Sequence, residues 1–230
     1  MKIETAGLIV ELNPKGDLLL SRVEPYKYVG EKPADIVIDV SEQYYLDRQK
    51  ENPHLTFAEC EYLWSAARFY ELLARFSGVM LHSSCVEYNG KAYLFSAPSG
   101  TGKSTHTHLW LKYIPNTRII NDDKPALRVI DSTVFAFGTP WSGKTDESIP
   151  TGVPVGGIAF LSRGENKIER VGGATVLKDF MDQTVRPSSR ELMVPMLDVI
   201  DKILTDVPVY RLSCDMSKDA VLTALNGMEA

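Results

Sequence analysis

A chain of 230 residues, 44% apolar and 24% charged, can bury a substantial core and has the composition of a globular protein, which excludes disordered and fibrous classes. Its net charge of −5 creates no general attraction for nucleic acid, and no Lys/Arg stripe reverses this locally, so no nucleic-acid partner is expected. No run of about 18 apolar residues would span a bilayer, and the opening MKIETAGLIVELNP is too polar for a secretory signal; a cytoplasmic protein without a membrane partner is expected.

In chain order, residues 1–55 read as a small N-terminal β region: GLIVEL and DLLLSRV flank the turn NPKGD, and DIVIDV follows. Residues 56–230 then read as one larger domain. Thr56 and Glu59 have the spacing of a capping box, and Phe57, Leu63, Trp64, Ala67, Tyr70 and Leu73 recur at helical intervals, which predicts a helix over about 57–77. VMLHSSCVEYNGKAYLFSA is two strands around Asn89-Gly90, a dipeptide suited to a type I′ turn. RIINDD is a short buried strand ending in two acids. ALRVI and VFAFG flank a turn at Asp131-Ser132, strands follow at about 155–162 and 167–171, helices at about 174–182 and 189–204, then the strand PVYRLSC and a last helix from about 217. The three cysteines, Cys60, Cys85 and Cys214, are widely spaced in apolar runs, the pattern of reduced, buried thiols rather than of a disulfide frame or a zinc site.

Between the second hairpin strand and a helix stands Ala97-Pro98-Ser99-Gly100-Thr101-Gly102-Lys103-Ser104-Thr105. It meets the phosphate-loop rule at every position but the first, where Ala97 replaces glycine. A triphosphate needs many donors and no bulky side chain in the way. Gly100 and Gly102 allow main-chain N–H groups of residues 99–104 to converge at the positive end of the helix, Lys103 would reach the β/γ oxygens, and the Ser104 hydroxyl would ligate Mg²⁺. Thr105 belongs to the same run but reads as a packing or capping residue. The alternative is an ordinary Gly-rich turn with an incidental lysine.

About 20 residues on, Asp122 and Asp123 close the strand, where a metal-bound phosphate needs a carboxylate and a phosphotransferase needs a base; turn formation before Pro125 is the alternative. His82 lies in the first hairpin strand, either structural or turned toward the metal or a carboxylate. His106 and His108 read as packing or helix-surface residues.

LHSSCV, the hairpin, APSGTGKST and INDDK together resemble the HPr kinase/phosphorylase catalytic domain and, more distantly, ATP-dependent phosphoenolpyruvate carboxykinases. The resemblance covers about residues 80–145 and, more weakly, the rest of the chain to its end. It implies an α/β fold with a mixed sheet around a phosphate loop and transfer of phosphate from ATP to a serine hydroxyl. Asp122 would be the base with His82 close to it, and Asp123 with Ser104 would hold Mg²⁺. GTPWSGK falls where the family has a segment approaching the phosphates, and Lys144 would supply positive charge to the transferring group. The expected acceptor is a serine-containing peptide or protein, or a small molecule; a homo-oligomer is compatible with the resemblance. A nucleotide-responsive binding module and a simple ATPase remain the competing functions.

Overall fold

The computed structural model describes residues 1–229. Strands β1 (Lys2–Thr5) and β2 (Leu8–Leu12) pair antiparallel, and β3 (Ile36–Ile38) joins β2 in parallel. The segment DLLLSRV, expected as a strand, is instead helix α1 (Asp17–Val23). Its leucines lose little rotamer freedom in a helix, and Leu19 and Val23, four residues apart, bury on one face. Just ahead of it, the N–H groups of Lys15 and Gly16 donate to the buried Glu61 carboxylate at 2.6 and 2.7 Å, placing negative charge at the helix start. A second helix, α2 (Glu42–Glu51), also departs from the β reading of this region. Only its Tyr45 is buried, so no apolar stripe announces it, and its start is fixed by the Ser41 hydroxyl accepting from the Tyr44 N–H.

Helix α3 (Phe57–Leu73) begins at the expected capping box and ends in a tight turn at Ala74–Phe76, with Ser77 left-handed. Its Phe69, Tyr70 and Leu73 share one apolar cluster with Val10, Leu19 and Ile36 of the N-terminal elements. Trp141 completes that cluster, stacked on Phe69 at 4.8 Å with its indole N–H donating to Ser65.

Strands β4 (Gly78–Met80), β5 (Ser83–Tyr88) and β6 (Lys91–Ser96) precede helix α4 (Lys103–Tyr113), and β7 (Arg118–Asn121), β8 (Ala126–Ile130), β9 (Thr133–Phe137), β10 (Gly152–Arg163) and β11 (Lys167–Val171) follow. Helices α5 (Gly173–Asp182) and α6 (Arg190–Asp206), strand β12 (Val209–Cys214) and helix α7 (Lys218–Glu229) complete the described residues. The β5–β6 turn has φ 49 at Asn89 and 74 at Gly90, the two left-handed angles that a type I′ hairpin requires. One mixed nine-stranded sheet holds β4 to β12, with the path β4-β8-β9-β10-β6-β5-β7 and β12 lying between β10 and β11.

Period-two alternation divides this sheet's side chains between two helical layers. Tyr93, Phe95, Ile119, Ala159 and Leu212 pack toward α4 and α7 around Trp110, while Leu94, Ile120, Ile158 and Val209 pack toward α5 and α6 around Phe180 and Ile200. Strands β6, β10 and β12 are mutually parallel, and β7 runs the same way because β5 is antiparallel to both β6 and β7. The carboxyl ends of four strands therefore emerge along one edge, the edge at which open α/β sheets bind ligands. His82 does not lie inside a strand as expected: the run splits into β4, which pairs with β8, and β5, which pairs with β6 and β7, and His82 sits at the break beside this edge.

Candidate functional site

From Ser96 at the end of β6, residues 97–102 turn the chain into α4. Gly100 has φ 79 and Gly102 φ 123, angles that L side chains rarely adopt. A Cβ at either position would meet no atom of the described residues within 4 Å, so backbone geometry rather than crowding requires glycine, and that side of the loop is open to an approaching group. Among the described residues no side chain caps α4, whose leading N–H groups have no acceptor within the helix. Lys103 is 7% exposed, and its ammonium donates to the Ala97 carbonyl at 2.9 Å. Burial lowers its pKa, against the opposing pull of Asp123 and Asp122. Arg163, at the end of β10, holds the loop from the other side, donating from Nη2 to the Gly100 carbonyl at 2.5 Å and from Nε to that of Thr101 at 3.0 Å.

The two acids follow β7. Asn121 Oδ1 accepts the N–H groups of Asp123 and Lys124 at 2.9 and 2.7 Å, closing an Asx turn that fixes the pair at the strand's end. Asp122 is 5% exposed, and both its oxygens accept hydroxyl bonds: Oδ1 from Ser84 at 2.5 Å, Oδ2 from Thr145 at 2.9 Å. Asp123 meets His82 Nε2 at 3.1 Å and the Lys124 ammonium. Burial alone would raise its pKa, but the His82 hydrogen bond and the Lys124 charge outweigh this and hold it at about 2. The other ring nitrogen of His82 lies 3.0 Å from Gln183 Oε1, so the imidazole is held between a carboxylate and an amide.

Residues 99–105, His82, Asp122, Asp123 and Lys144 all line one cleft of about 1030 Å³, the upper end of the range for small-molecule sites. Lys144 is exposed at its margin. Thr105 is exposed and lines the cleft, so it neither packs nor caps; the helix turns it outward between buried Lys103 and His106. His106 is buried against Phe95, and His108 is exposed and paired with Glu147 at 2.9 Å. The far wall comes from the N-terminal half of the chain. Arg22 donates to Ser142 Oγ and the Gly143 carbonyl at 2.9 and 3.1 Å, and Tyr62 Oη accepts the Gly143 N–H at 2.9 Å. Gly143 has φ 75, and a Cβ there would lie 2.7 Å from Asp123 Cβ. The sequence singled out neither Gly143 nor Arg163, Thr145 and Ser84. The glycine beside Lys144 was the one local signal, and the others are joined to the site by long-range contacts.

The open loop with its uncapped helix start and buried lysine suits a phosphate group. Ser104, Asp122 and Asp123 are oxygen donors, the ligand type of Mg²⁺, which commonly takes one or two carboxylates plus substrate phosphates. Among the described residues no group of three or more His, Cys, Asp or Glu side chains forms a metal-holding set.

No family model and no curated protein matches the chain. Among solved structures, the Hpr(Ser) kinase/phosphatase from Coxiella burnetii is similar at 10% identity and a TM-score of 0.38, over 66% of this chain and 99% of that one.

Proposed function

We propose that the cleft binds ATP with Mg²⁺ and transfers the γ-phosphate to a hydroxyl, the acceptor being a serine of a peptide or protein or a small molecule. The observation that carries this reading is the meeting, at one sheet edge, of a glycine loop at a helix start with an adjacent pair of carboxylates. Main-chain N–H groups of residues 99–104 would bind the phosphates, and the Lys103 ammonium would exchange the Ala97 carbonyl for β/γ oxygens. Asp122 is the base: an acceptor hydroxyl donating to Oδ2 would give up its proton there, while Ser84 keeps Oδ1 in place. Asp123, held anionic, and Ser104 would ligate Mg²⁺, with His82 orienting Asp123. Bound Mg²⁺ neutralises charge on the phosphate oxygens. Lys144 would add positive charge at the transferring group.

The adjacent carboxylates Asp122 and Asp123 in the cleft favour transfer over binding alone. Incubation with Mg²⁺, ATP and candidate serine acceptors, wild type against Asp122→Asn, tests the reading. Loss of the base is expected to slow transfer by about 10²–10⁴-fold. Equal rates would remove Asp122 from the chemistry.

A further inference from the structure

We propose that Thr145 is a phosphorylation site of this chain, its hydroxyl serving as a built-in acceptor for the γ-phosphate of ATP. The proposal rests on the reading of the cleft as an ATP site and adds to it a modified residue.

A base can take a proton from a hydroxyl held within about 2.6–3.2 Å. Among the described residues two hydroxyls approach Asp122 that closely or closer, and they differ in what else could reach them. Ser84 Oγ, 2.5 Å from Oδ1, is fully buried and shared with Thr107 Oγ1 at 2.7 Å, which leaves no room for a phosphoryl group. Thr145 Oγ1, 2.9 Å from Oδ2, belongs to an exposed residue that lines the same cleft as the glycine loop.

The segment carrying Thr145 is anchored on both sides. Before it, Gly143 leaves space that a Cβ would fill against Asp123 and donates to Tyr62 Oη; after it, Asp146 pairs with Arg22, and the Glu147 carbonyl accepts the Asp122 N–H at 3.0 Å. These ties hold the hydroxyl at the base without closing it off from the cleft.

In the transfer, a bond forms between Thr145 Oγ1 and the γ-phosphorus, the bond from that phosphorus to the β,γ-bridging oxygen breaks, ADP leaves, and the threonine proton passes to Asp122 Oδ2. The product carries about two negative charges beside Asp122 and Asp123. Like-charge repulsion then favours movement of the segment away from the acids.

The test uses the full chain with Mg²⁺ and γ-labelled ATP, no added acceptor, and fragment mass spectrometry, with ATP binding titrated in parallel. The expected result is one phosphoryl group on Thr145, incorporated at a fractional rate independent of protein concentration. It should be absent from Asp122→Asn and Thr145→Val and recovered as phosphoserine in Thr145→Ser. Bound ATP with label elsewhere, or with no label, overturns this proposal and leaves the ATP site standing. Incorporation that accelerates with protein concentration also overturns it, since the acceptor would then lie on another molecule. Absence of ATP binding overturns both.

Discussion

His106 lies behind the glycine loop at 2% exposure, and its Nε2 accepts the Trp110 indole N–H at 3.1 Å. The proton of the neutral ring is therefore on Nδ1, facing Cys214 Sγ at 3.9 Å. Burial lowers the pKa from 6.5 to about 4. The unfolded chain binds this proton first, so the residue's contribution is fully present above about pH 6.5 and is lost as pH falls toward 4, a change of order 3 kcal/mol. Urea midpoints should thus fall more steeply over that window in the wild type than in His106→Gln, which keeps an acceptor for the indole. Parallel pH profiles would refute the assignment. The same scale shows what sequence can carry. Lys103 is written within an eight-residue pattern and Asp122 at a strand end, and the fold brings both to one cleft. Ser84, Thr145 and Arg163 touch partners 38, 23 and 62 or 63 residues away, and no local pattern encodes such meetings.

Among the elements, β10 does two tasks. Its first residues pair antiparallel with β9 and its later ones run parallel to β6 and β12, with a register shift between Val155 and Gly157. This extended strand delivers Arg163 beside the loop that leaves β6, where one guanidinium spans two carbonyls. Arg163→Ala should therefore speed amide hydrogen exchange across residues 99–102 while changing global stability by less than about 0.5 kcal/mol, as expected for an exposed side chain. Unchanged exchange would mean the loop holds its shape unaided. Elements with strong local chemistry, such as the capping box of α3 and the Asn89-Gly90 turn, were readable in advance. Helices α1 and α2 were not. The first has two buried apolar positions within seven residues, and its start depends on Glu61, 45 residues away; the second has one buried side chain.

For the whole molecule, the consequence of the mixed sheet is convergence. Reversing β5 between β6 and β7 keeps the ends of β6 and β7 on the edge where β10 and β12 also finish, so the loop, the acids and Arg163 meet although they arise far apart. Strand order of this kind was not legible from alternation, which assigns side chains to faces but not strands to neighbours. Helices α1 and α3 supply the opposite wall through Arg22 and Tyr62. The most direct test of this arrangement is a crystal structure with Mg²⁺ and a non-hydrolysable ATP analogue. The account predicts phosphates on the N–H groups of residues 99–104, with the terminal one between Lys103 and Asp122. An analogue seated elsewhere, or one whose terminal phosphate points away from both acids, would contradict it.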